Sequence, residues 1–134
     1  MNLADLPNVN IEEIEKFKEI AGTSKDCSII MLNLNEYNAE AEFPNGKLYK
    51  DYMEILNILL AEVGGKVLWQ TEASATLIGN QKIHEALGIW YPSHQAFVDI
   101  KDAPSSARFA EAKNKVVKHA VIHRSDPYTV ERVP

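Results

Sequence analysis

Cysteine is almost missing from this chain: Cys27 stands alone among 134 residues. No intramolecular disulfide can form, and a zinc site built on thiolates is excluded. Cys27 opens an apolar run, so it reads as a small buried hydrophobe and not as a nucleophile. Basic charge is also scarce, with 14 Lys and Arg against 19 Asp and Glu and a net charge of −5. A protein that displaces counterions from phosphates needs a basic stripe, and none is visible, so no nucleic acid is expected as a partner. The densest basic stretch (Lys113, Lys115, Lys118, Arg124) is broken by apolar residues and reads as a solvated helix face. No apolar run approaches the roughly 20 residues that span a bilayer, so no membrane partner is expected. The opening Met1-Asn-Leu-Ala-Asp-Leu-Pro7 lacks the basic start and apolar centre of a leader, which makes the cytoplasm the expected compartment. No Gly-x-Ser-x-Gly elbow, phosphate loop or dinucleotide fingerprint occurs, and no cofactor is expected.

What is present is an ordinary globular balance, 46% hydrophobic and 25% charged, at a length that fits one domain. The first helix is well punctuated: Asn10 can cap it, Glu13 holds the capping-box position, and Gly22 can close it. Its stripe of Ile11, Ile14, Phe17 and Ile20 predicts packing on the outside of the domain or on a partner subunit. Residues 1–25 are thus an N-terminal helical extension, and 26–134 carry the main domain. Residues 27–34 are dominated by apolar side chains without alternation, which predicts a strand covered on both faces. A second helix carries Leu48, Tyr52, Ile55, Leu56, Leu59, Leu60 and Val63 at the 3.6-residue period and ends at Gly64-Gly65. Two strands follow, over 66–71 continuing through 75–78, and over 83–91, with Gly79-Asn80 as the hairpin turn between them. A short helix from Pro92-Ser93, a longer one from about 104 to 118, and a last strand over 119–124 complete the chain.

Without its first helix the order is β-α-β-β-α-β, the split β-α-β unit. The predicted fold is α+β and ferredoxin-like: a four-stranded antiparallel sheet with helices on one face, plus the extra N-terminal helix. A lone domain of this kind carries polar residues on its open face. Here the first strand is apolar on both sides, Ile29 and Met31 against Ile30 and Leu32, and so is the third, Leu87 and Ile89 against Ala86 and Trp90. Leaving each large side chain wet would cost roughly 1.5–3 kcal/mol. Sheet-to-sheet pairing of two copies, a homodimer, is the economical cover.

Three segments carry a family resemblance: Met31-Leu-Asn-Leu34, Gly64-Gly-Lys-Val-Leu-Trp69 leading to Ala75-Thr-Leu-Ile-Gly79, and Trp90-Tyr-Pro-Ser-His-Gln-Ala-Phe97. Together, in register over roughly residues 27–124, they resemble the domain-of-unknown-function family numbered 1330, within the dimeric α/β-barrel superfamily. The resemblance implies the fold and the dimer but no agreed activity. The wider superfamily includes cofactor-free monooxygenases, small isomerases, haem-degrading enzymes and stress-response proteins, so fold alone does not fix function.

Strand order then predicts where chemistry would sit. With the first strand central, parallel to the third and antiparallel to the fourth, Asn33, Trp69, Trp90, Tyr91 and His119 gather at one end of the sheet. Tyr49 and Tyr52 reach the same end from the second helix. An amide, a histidine and aromatics around an apolar cavity suit a small, flat organic ligand. Asn33 could hold a carbonyl or enolate oxygen and His119 could move a proton, as the catalytic pair of a cofactor-independent proton transfer or oxidation of a small carbonyl or aromatic compound. Tyr49, Tyr52, Trp69, Trp90, Tyr91 and His94 would then bind the substrate. Each also has a structural reading: Asn33 satisfying strand-end backbone, the tryptophans packing a core or interface, His119 half-exposed. The competing function is a non-catalytic binding or structural dimer. A minor one is a haem-binding, monooxygenase-like protein using Asn33, Trp90 and His94. His119 and His123 share a strand face, but two histidines without a carboxylate make a poor metal site. His84, near the predicted hairpin turn, reads as solvent-exposed.

Overall fold

A computed structural model describes residues 8–125. Helix α1 spans Ile11–Ile20, followed by strand β1 (Ile29–Tyr37), helix α2 (Lys47–Glu62), strands β2 (Lys66–Glu72) and β3 (Glu85–Tyr91), helices α3 (His94–Asp99) and α4 (Ser106–Val116), and strand β4 (Val117–Ser125). The sheet order is β2-β3-β1-β4, with every neighbouring pair antiparallel. The expected β-α-β-β-α-β order is therefore present, with the helices over one face.

The direction of β3 differs from expectation. The α2 crossover brings the chain back so that β2 runs with β1, and the reversal after β2 turns β3 against both. Asn35, near the end of β1, consequently pairs with Glu85 at the start of β3, while Trp90 and Tyr91 pair with Ile30 and Ile29 at the opposite end. The start of β4 does lie beside the end of β1, as Glu36 faces His119.

Alternation along the strands sorts side chains into two layers. Ile29, Met31, Asn33, Asn35 and Tyr37 of β1, with Glu85, Leu87, Ile89 and Tyr91 of β3, are buried on the helix side. Tyr49, Tyr52, Met53, Leu56 and Leu60 of α2 meet them in one core. The α2 stripe is buried as expected at Tyr52, Ile55, Leu56, Leu59 and Leu60 and departs at its start: Leu48 is exposed and Tyr49 buried, because Tyr49 finds a hydrogen-bond partner in the sheet. On the other face lie Ile30, Leu32, Leu34, Ala86, Trp90 and Val121, with Trp69 of β2 resting its indole on Gly88. A Cβ at position 88 would collide with that ring, so glycine permits the contact.

Helix α1 is capped as read, with Asn10 Oδ1 accepting from the Glu13 N–H at 3.4 Å. It packs on α3: the Phe17 ring lies 4.7 Å from that of His94 and 5.4 Å from that of Phe97. Three further expectations fail. The chain leaves the sheet after Glu72, so 75–78 are loop, with Leu77 and Ile78 almost wholly exposed. Cys27 is exposed, because it precedes β1 and lies in the turn from α1. His84 is half-buried, since its Nδ1 accepts from the Tyr37 N–H at 2.9 Å and its ring stacks on that of Tyr37.

Candidate functional site

Sheet and helices enclose a cavity of about 120 Å³. Its walls are apolar over most of their area: Met31, Leu87 and Ile89 from the sheet, Tyr52, Leu56 and Leu59 from α2, Phe97 from α3, and Phe109 from α4. Tyr52 and Phe109 stack with ring centroids 5.5 Å apart. The polar exceptions are few. Asn33 and Asn35 stand two residues apart on β1 and so share the inner face, and Lys101 and Lys113 line the side toward α4.

Hydrogen bonds fix how the two amides are turned. Asn33 Nδ2 donates to the Met31 carbonyl at 3.1 Å, and a carbonyl can only accept, so the nitrogen belongs on that side. Asn35 Nδ2 donates to Tyr37 Oη at 3.2 Å. That hydroxyl has spent its own proton on Glu85, at 2.6 Å, and must accept. Both amide oxygens are left without a partner among the described residues, and no side-chain polar atom there is sealed away unpartnered, so these oxygens keep accessible surface on two residues that line the cavity.

Lys113 is half-buried, and desolvation draws its ammonium below the usual lysine range. No carboxylate of the described residues lies within ion-pairing distance of it. Burial is also the main force holding the Tyr52 and Tyr91 phenols well above their ordinary range.

Behind Asn35 sits a second polar cluster. Glu85, 3% exposed, accepts from Tyr37 Oη, from Tyr49 Oη at 2.8 Å and from Gln70 Nε2 at 2.9 Å. The chain Glu85–Tyr37–Asn35 links the acid to the cavity wall.

Of the residues expected to form a site, the structure brings Asn33, Tyr52 and Tyr91 to one cavity. Tyr49 belongs to the Glu85 cluster instead. Trp69 and Trp90 lie on the other face of the sheet, with Lys66 Nζ 5.8 Å from the Trp90 ring. His119 is exposed on that same face, in register with Glu36, because β4 alternates and it is Ala120 and Ile122 that point inward. His94 is buried elsewhere: its Nδ1 contacts Asp26 Oδ1 at 2.9 Å and its Nε2 contacts Arg124 Nη1 at 3.2 Å. The guanidinium can only donate, so Nε2 accepts and Nδ1 carries the hydrogen. Asn33, Trp90 and His94 therefore occupy three separate environments.

Sequence reasoning missed Asn35, Lys113 and Glu85. Asn35 had a signal, since Asn33-x-Asn35 puts two amides on one face of an apolar strand. Lys113 had a weaker one, lying one helical turn beyond Phe109. Among the described residues no group of three or more His, Cys, Asp or Glu is placed to hold a metal ion, and no helix is long and apolar enough to cross a membrane.

No protein-family model matches the chain, and no curated protein matches it. Solved structures do. A protein of unknown function from Rhodopseudomonas palustris superposes with a TM-score of 0.70 at 24% identity, over 90% of this chain and 95% of its own. Its methylated form gives 0.70 at 25% identity, over 90% and 93%. A dabb family protein with a ferredoxin-like fold from Mesorhizobium loti gives 0.56 at 13% identity, over 75% and 97%. The class of architecture is thereby settled as ferredoxin-like.

Proposed function

We propose that this chain forms a homodimer through the open face of its sheet and binds a small organic molecule in the cavity between sheet and helices of each subunit. In this reading residues 26–134 are the ligand-binding domain, resembling family 1330 of the dimeric α/β barrels, and 1–25 an N-terminal extension whose helix α1 packs through Phe17, in a cytoplasmic protein. The single observation that carries it is an apolar cavity of about 120 Å³ whose wall includes two buried amides with uncommitted oxygens. A cavity of about 150 Å³ lined by aliphatic and aromatic side chains holds benzene, so this smaller space takes a body no larger than one ring or a short branched chain. A porphyrin, several times larger, has no room there, which counts against the haem-binding alternative.

If the bound molecule is turned over, proton transfer or cofactor-independent oxidation of a small carbonyl or aromatic compound remains the class the walls suit. On the wall, the ammonium of Lys113 would be the proton donor in place of the exposed His119. The non-catalytic alternative draws its support from the same inventory: among the described residues, Lys101, Lys113 and two strongly protonated phenols are the only ionisable groups on the wall.

Phenol titrated into the protein, followed by methyl NMR, tests the pocket. Shifts should concentrate on Leu56, Leu87 and Ile89 and vanish in Ala120→Phe, which fills the cavity from β4. Shifts confined to other residues, or none at all, would remove the pocket.

A further inference from the structure

We infer that the cavity selects a small hydroxylated carboxylate, its hydroxyl against the amides of Asn33 and Asn35 and its anionic group against Lys113. The inference rests on the reading of the cavity as a ligand site and adds which ligand it takes. Each amide lines the cavity and keeps, beyond the bond it already makes, an uncommitted oxygen and one further N–H. A ligand carbonyl could use only the N–H and would leave the oxygen facing an apolar space without a donor. A hydroxyl donates to one of the two oxygens and accepts from an N–H, so it supplies the donor that a carbonyl lacks. The orientation is imposed from outside the cavity: the Met31 carbonyl holds Asn33, and Tyr37, itself committed to Glu85, holds Asn35. Neither amide can turn over without breaking a buried hydrogen bond.

Lys113 lines the cavity half-buried, with no carboxylate of the described residues paired to it. An anionic group seated in the cavity would meet this unpaired ammonium at the wall. The rest of the wall, with Tyr52 stacked on Phe109, accepts an apolar body no larger than a ring.

The test uses four single-ring probes, phenol, benzoate, 3-hydroxybenzoate and 4-hydroxybenzoate, with binding measured by calorimetry on the full-length protein. The better hydroxybenzoate should bind at least about tenfold tighter than either phenol or benzoate, since a site built around a polar group discriminates strongly against its absence. Lys113→Met should erase the advantage over phenol while leaving phenol binding intact, and Lys113→Arg should restore much of it. Asn33→Leu should erase the advantage over benzoate; should it fail to fold, the lysine pair and the benzoate comparison still decide. Equal affinity for phenol and both hydroxybenzoates would overturn this inference and leave the pocket standing. Failure of phenol itself to bind would overturn the pocket. A hydroxybenzoate preference unchanged in Lys113→Met would overturn the assignment of the anionic end.

Discussion

Tyr37 donates a 2.6 Å hydrogen bond to Glu85, a carboxylate buried in the sheet with no lysine, arginine or histidine of the described residues paired to it. What replaces a cation is a set of neutral donors, with Tyr49 and Gln70 completing the shell. Such a carboxylate holds β1, β2, β3 and α2 together at one corner, because its donors come from all of the other three elements. The arrangement is stable only while every donor has its acceptor.

Glu85→Leu should therefore be costly. It strands the Tyr37 and Tyr49 hydroxyls, each worth about 1–3 kcal/mol when left unpaired in the interior, for an expected loss of roughly 3 kcal/mol or more. Glu85→Gln keeps one acceptor oxygen and lets one tyrosine turn to accept, so roughly 1 kcal/mol should go. Urea unfolding of the two variants checks this, and a Leu variant as stable as the parent would show that the cluster holds nothing.

The four tyrosines among the described residues, Tyr37, Tyr49, Tyr52 and Tyr91, all have phenols pushed above the ordinary value of 10.0, first by burial. The neighbouring Glu85 adds to the shift in Tyr37, Tyr49 and Tyr52. A folded-state pKa raised above the unfolded one means full stabilisation below pH 10 and progressive loss above it. These phenols should stay protonated through pH 10 and then ionise together as the protein unfolds. Tyrosinate absorbance from these four and far-ultraviolet ellipticity should move in one step. A rise in absorbance equivalent to four phenols near pH 10, with ellipticity constant, would contradict the prediction.

How far the sequence discloses this protein depends on the range of the interaction. The α2 stripe, the Asn10 cap and the β-α-β-β-α-β order are legible because periodicity and capping are local. The site was less legible because it depends on which side of the sheet each residue takes and which ends meet. The reversed direction of β3 alone sent Trp90 and Tyr91 to the far end from Asn35. The one-residue alternation of β4 turned His119 out and Ala120 in. Glu85 looked like a strand-end charge, and only the meeting of Tyr37, Tyr49 and Gln70 from distant parts of the chain makes it an interior residue. Leu77 and Ile78 show the converse, since a local apolar pattern does not make a strand where no neighbouring strand pairs with it.

Asp26 ties the turn after α1 to the start of α3. Burial alone would raise its pKa, but the backbone N–H groups of Gly22, His94 and Gln95 and the His94 ring outweigh that and bring it to about 2. A depressed carboxylate pKa gives stability that is present above the unfolded value of 3.8 and lost as pH falls toward 2. Asp26→Asn should therefore melt below the parent at neutral pH, with the gap closing between about pH 4 and pH 2. Melting curves across that range decide it, and a gap that does not change with pH would mean that the carboxylate charge contributes nothing there.

The dimer proposal makes its sharpest prediction at Leu34. This residue lies on the open face of the central strand, in register with Ala86 on one side and Val121 on the other. Trp90 and Trp69 share that face, with Trp69 46% exposed in the single chain. Two copies related by a twofold axis would bury Leu34 twice in one interface, so Leu34→Lys introduces two ammonium groups into the same dry contact. Burying even one unpaired charge costs several kcal/mol, so the dimer should weaken by at least about 100-fold while the fold of each subunit persists. Light scattering should report a dimer for the parent and a monomer for the variant at micromolar concentration, with Trp69 emission moving to the red as its cover is lost. Leu77→Lys makes the matched control, since Leu77 is exposed on the β2–β3 loop and the same substitution there should leave the dimer intact. A monomeric parent would refute sheet-to-sheet pairing. A Leu34→Lys variant that stays dimeric would place the contact on another surface and leave the apolar face of β1 and β3 without the partner argued for it.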